Sequence, residues 1–178
     1  SVKNSTISAY RDVAAIAGTA NQAAVVTGND AENVVVIADH RPEYKEVKEA
    51  NAGKFAGRIH ANAVLENNTD TDVVIKLYNV TDADLKTVIN NAKEGDTVCV
   101  AGEYGKFPSV GKNMTIDATG ATFKGLSKLN INGTTVIGAT FSNPSGTVVD
   151  QTINGIFKRC TFTGYNAIRN GYTGPVCE

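Results

Sequence analysis

The chain has 178 residues, 17 basic and 18 acidic, for a formal net charge of −1 at pH 7. A hydrophobic content of 42% is enough for a core and excludes wholesale disorder. The near-zero charge argues against generic coating of nucleic acid or anionic membrane, and no apolar run is long enough to predict a membrane-spanning helix.

In chain order, the opening stretch from Ser5 to Val26 is small and Ala-rich. It reads as an arm or as a first strand pair, and both readings stay open. Val34-Val35-Val36-Ile37 is a β-branched run with the turn-like Gly28-Asn29-Asp30 upstream, which predicts a strand. Pro42 to Ala50 is charged and reads as a short exposed helix or a loop. From Gly57 to Asn67 the sequence alternates in part, with Ile59, Ala61, Ala63 and Leu65 on one parity. Asn67-Asn68-Thr69-Asp70 predicts a turn. Val73, Ile75 and Leu77 then share one face of a second alternating run. The two runs together predict a long hairpin in an antiparallel sheet.

Thr81 opens a predicted helix as N-cap, with Asp82 and Asp84 in its positive first turn. Leu85, Val88, Ile89 and Ala92 keep one apolar face, and Gly95 supplies the stop. A short strand follows at Asp96 to Val100, and then a turn at Gly102 to Gly105.

Beyond residue 113 a pattern recurs. Gly120-Ala121-Thr122-Phe123 returns as Gly138-Ala139-Thr140-Phe141, with a looser copy at Arg159-Cys160-Thr161-Phe162. Ile131-Asn132-Gly133 returns as Ile153-Asn154-Gly155, and Ile116-Asp117 occupies a similar place upstream. A period of about 20 residues, made of short β-branched runs between turn residues, predicts one solenoid coil per period. Phe123, Phe141 and Phe162 would then stack inside it. An ordinary β-sandwich that happens to repeat the tetrapeptide is the alternative.

The segment from Asp84 to Tyr104, with its amphipathic helix, Gly95-Asp96-Thr97, a strand and Gly102-Glu103-Tyr104, resembles the opening of right-handed parallel β-helix proteins. That family includes pectate-lyase-like enzymes and phage tailspikes. The resemblance covers residues 81–172 and implies a helix that caps the open end of a solenoid. The fold expected is mainly β. An N-terminal antiparallel anchoring domain (1–80) precedes a cap helix (81–94) and a short right-handed parallel β-helix, which complete the second domain (81–178).

The resemblance also implies where chemistry would lie, namely acidic residues lined up on a coil surface. The acids after the helix are Glu94, Asp96, Glu103, Asp117, Asp150 and Glu178. Asp117 and Asp150 are out of step for adjacent coils, and Glu94 and Asp96 belong to the opening motif. His40 and His60 lack metal-ligand or triad spacing. Cys99, Cys160 and Cys177 form neither a CxxC pair nor a disulfide framework. Lys124 to Lys128 and Lys158-Arg159 are small basic patches that read as solvated. No catalytic, cofactor-binding or metal-binding residue is therefore assigned, and no cofactor.

The expectation is a non-enzymatic virion structural protein of a tailed phage, either a capsid decoration or head-fibre subunit or a small spike. The virus assignment comes from the resemblance and from the lack of an enzyme constellation. A short coil stack has a large share of exposed ends, so a homo-oligomer is expected, with a trimer implied by the resemblance. Other virion proteins such as a capsid shell are expected partners, with no nucleic acid and no membrane. No signal-peptide pattern is visible, and the expected location is the virion, after synthesis in the host cytoplasm. The rival functions are polysaccharide cleavage by a lyase or hydrolase, and glycan binding with exposed Tyr104, Tyr165 and Tyr172 stacking on sugar rings.

Overall fold

The computed structural model describes residues 1–39, 51–125, 127–128, 133–150, 155–169 and 176–177. The charged stretch from Pro42 to Ala50 lies outside them, as do Ile131-Asn132 and Ile153-Asn154. The protein is mainly β, with parallel sheets and one helix among the described residues. It divides into two compact units, residues 1–91 and 92–178. The helix therefore groups with the first unit.

The first unit contains β1 (Val2–Ala9), β2 (Val13–Ala14), β3 (Ala17–Ala20), β4 (Val25–Thr27), β5 (Asp30–Asp39), β6 (Ala52–Gly53), β7 (Ala56–Ile59), β8 (Val64–Glu66) and β9 (Thr69–Tyr78). The described strand pairs within this unit all run parallel, so the expected antiparallel hairpin is not found. Val13 lies beside Ala52, Ala17 beside Ala56, Val25 beside Val64 and Asp30 beside Thr69, a common step of 39 in sequence. β1 joins the edge of β5 at a step of 29, with Ser5 beside Val34. The turn at Asn67 is present, with a left-handed φ of 52°. However, it leads β8 into β9 without pairing them. The physical reason is that alternation identifies the buried face of a strand but not the direction of its neighbour. Val73, Ile75 and Leu77 are all buried, as their alternation predicts.

The alternation from Gly57 to Asn67 does not form one strand. The chain turns after β7, where the Ala63 N–H donates to the His60 carbonyl at 3.0 Å and Asn62 takes φ 81°. Ile59 is consequently 42% exposed rather than in the core. The Ala-rich opening runs from within β1 to β4, and Val13, Ala14, Ala15, Ala20 and Val26 are buried. It is thus not a free-standing arm, and in place of a first strand pair its short strands pair with β6, β7 and β8. Gly57 permits a close backbone approach here, since a Cβ would stand 2.5 Å from the Val13 nitrogen.

Helix α1 (Asp82–Asn91) begins with a reciprocal cap. The Asp84 N–H donates to Thr81 Oγ1 at 3.2 Å, and Thr81 N–H and hydroxyl donate to Asp84 Oδ2 at 3.2 and 2.7 Å. Leu85, Val88, Ile89 and Ala92 are buried. Burial of each large aliphatic side chain contributes roughly 1.5–3 kcal/mol. Gly95 takes φ 81°, a backbone conformation that suits glycine.

The second unit contains β10 (Thr97–Tyr104), β11 (Thr115–Asp117), β12 (Ala121–Lys124), β13 (Ser127–Lys128), β14 (Thr135–Ile137), β15 (Thr140–Asp150), β16 (Ile156–Lys158), β17 (Thr161–Arg169) and β18 (Val176–Cys177). One parallel ladder sets Thr97, Thr115, Thr135, Ile156 and Val176 side by side, at nearly even steps of about 20 residues. A second sets Tyr104, Phe123, Phe141 and Phe162 side by side. The rings stack as the repeat predicts, with centroids 5.3, 5.4 and 5.2 Å apart along the row. Phe107 and Phe157 meet the row edge-on. Ile116 pairs with Val136, and Val136 in turn with Phe157, so this ladder repeats Ile116 as Val136.

Candidate functional site

The described residues singled out from sequence have local structural roles. Tyr104, expected to be exposed, is 2% exposed. Its ring lies on Phe123 and its hydroxyl donates to the Ala101 carbonyl at 2.8 Å. The reason is register: Tyr104 takes the position of the repeating phenylalanines, one step earlier. Tyr165 lies in β17, and Tyr172 lies outside the described residues.

The acidic candidates have local partners. Asp117 Oδ1 accepts from the Thr119 N–H and hydroxyl at 3.1 and 2.6 Å, which closes a turn. Asp150 belongs to a different ladder, between Lys128 and Arg169. Asp96 is buried and accepts from the Lys93 N–H at 2.7 Å. Glu103 pairs with Lys124 at 2.8 Å on the surface. His40 and Glu178 lie outside the described residues. Among the described residues, no three of His, Cys, Asp and Glu gather as a metal site would require.

The first unit holds a polar assembly that sequence reading missed. Its constant parallel step stacks like on like. Asn29 Nδ2 and the Asn29 N–H donate to Asn68 Oδ1 at 3.1 and 3.0 Å, and Asn68 Nδ2 donates to the Val26 carbonyl at 2.8 Å. Asn33 Nδ2 donates to Asn4 Oδ1 at 2.8 Å, and Asn4, Asn33 and Asp72 all have left-handed backbone at matching places in neighbouring strands. The detectable signal was pairwise identity at a spacing of 39: Ala17/Ala56, Gly18/Gly57, Val25/Val64, Asn29/Asn68 and Val34/Val73.

Asp12 is the hub of a separate polar cluster in the same unit. It accepts from Asn51 Nδ2 at 2.8 Å and from the Thr19 hydroxyl at 3.1 Å, and it faces Arg58 Nε at 3.4 Å. Its side chain is only 11% exposed, so these contacts compensate its desolvation. Lys54 and Asp70 form a second, partly buried pair.

Beside this hub is a cleft of about 370 Å³. Asn51 and the Gly57 to His60 segment form one wall, and Ala83, Asp84, Thr87 and Asn91 of α1 form the other. Ala83, Thr87 and Asn91 recur at every fourth position and share one helix face. His60 is half-buried at the turn after β7. The cleft is the candidate site: it unites segments from separate strands and a helix, and no local motif marks it.

Compared with known proteins, the chain matches no family model, no curated protein and no solved structure.

Proposed function

We propose that the chain is a short right-handed parallel β-helix that serves as a structural virion subunit of a tailed phage, as a capsid decoration, head-fibre or small spike protein. The observation that carries the solenoid reading is the nearly constant step of the second unit: five successive strands pair in parallel at intervals of about 20 residues. A chain that returns to the same line at each period and stacks like residues is favoured as a coil. The structural role is supported by where the polar side chains are used. Asp12, Asn29, Asn33, Asp117 and Asp96 all hold backbone turns or ladders together. The phage assignment rests on the resemblance of Asp84 to Tyr104 to the opening of tailspike-type solenoids.

Assembly is proposed to use the ladder ends. β1 pairs with β5, and no described strand lies on its other side. An open edge favours a neighbour or a covering element. A homotrimer docked on a capsid shell would meet that need. Light scattering on the purified 18.7 kDa chain tests this. A mass three times that of the monomer supports the assembly, and a monomer at every concentration overturns it. Release of unsaturated or reducing ends from polygalacturonate would overturn the non-enzymatic reading.

A further inference from the structure

We infer that the cleft between the Gly57–His60 segment and α1 binds a neutral sugar ring. Two side chains in its lining are buried acceptors. Asp84 is 4% exposed. Its Oδ2 takes both bonds from Thr81, while its Oδ1 receives no hydrogen bond from any described residue. Asn51 is 9% exposed, and its Nδ2 is committed to Asp12. Its Oδ1 likewise receives none from a described residue. A buried acceptor left without a donor forfeits its hydration with nothing in return, and such groups call for an explanation. Both residues line this one cleft, so an occupant that carries donors would satisfy both.

The lining narrows the class of occupant. Arg58, bound to Asp12, and Asp84 both border the space. A cation would sit beside Arg58 and an anion beside Asp84, so a neutral occupant meets the least repulsion. The donors must therefore be uncharged, as hydroxyls are. The wall also offers apolar surface. Ile59 is 42% exposed, whereas Ala20, its ladder partner, is 1% exposed. A pyranose has hydroxyl donors at its rim and a C–H face for Ile59. The volume of about 370 Å³ lies within the small-ligand range. His60, Thr87 and Asn91 add polar groups around the rim. The site is independent of the assembly reading, because none of the residues that line it lies in β1 or β5, the edge proposed for assembly.

Saturation-transfer NMR on the full chain tests the inference, with glucose, galactose, mannose and N-acetylglucosamine as probes. At least one sugar is expected to receive saturation on its ring protons. Thr87→Leu fills the cleft from an exposed helix position and should weaken that binding about tenfold or more, with the melting temperature unchanged. Asn91→Leu repeats the test from the next helical turn, in case the first variant does not fold. Absence of transfer to all four sugars overturns the inference and leaves water as the donor. Binding unchanged by either folded variant also overturns it. Neither result bears on the mass measured by light scattering, so the two proposals fail separately.

Discussion

Arg159 has a left-handed φ of 54° at the place where the two preceding returns of the chain have Gly120 and Gly138, at 85° and 68°. A Cβ in that region costs roughly 1–2 kcal/mol, partly offset because glycine adds disorder to the unfolded chain. Arg159→Gly is therefore expected to raise stability by up to about 1 kcal/mol, visible as a higher urea midpoint. Arg159→Ala keeps the strained backbone and should show no such gain. In β1, Lys3 donates to Glu32 at 2.5 Å and lies 3.6 Å from Asp30. The hydrogen bond to Glu32 and the charges of Glu32 and Asp30 hold its pKa above the ordinary 10.5. A raised lysine pKa contributes stability that is present below the unfolded value and is lost as pH rises through the folded value. Melting curves should thus show a small alkaline loss above pH 10.5 that Lys3→Met lacks. The group is fully exposed, so added salt should reduce the effect.

At the scale of elements, α1 owes its start to one local device. Thr81 and Asp84 satisfy each other's backbone donors, and the acidic side chain faces the positive end of the helix. Thr81→Ala should destabilise by about 1 kcal/mol, measured by urea unfolding. Thr81→Ser should retain most of that stability, because its hydroxyl keeps the acceptor. The helix was legible in sequence because capping and apolar spacing are both local, and its buried face is the predicted one. The strands of the first unit were less legible. Val73, Ile75 and Leu77 announce a buried face, but the same alternation serves either strand direction. The short strands β2, β3 and β4 have too few residues for a period to emerge. Their parallel partners are remote in sequence and share only scattered identities.

At the scale of the whole molecule, stability in the second unit is carried along the aromatic row. Phe141 is fully buried and touches Phe107, Phe123, Phe157 and Phe162. Phe141→Ala should cost roughly 3–5 kcal/mol, read from the urea midpoint. Hydrogen exchange should show the loss greatest in β12, β15 and β17, because β15 pairs directly with β12 and β17. Phe141→Leu keeps most of the volume and should recover much of that loss.

The residues alone determined the β-rich character, the helix with its cap, and the short-period repeat in the second half. Each of these is written in neighbouring positions or in near-identical tetrapeptides such as Gly120-Ala121-Thr122-Phe123. Tertiary structure decided the rest. Parallel pairing in the first unit arises from contacts between strands remote in sequence, which backbone hydrogen bonds impose without requiring matching side chains. In the second unit, register takes Tyr104 out of solvent and makes it the first ring of a buried row. The cleft exists only because tertiary structure sets the Gly57–His60 segment across from α1, with Asn51 and Asp84 in its lining, a placement that no local pattern could have foretold.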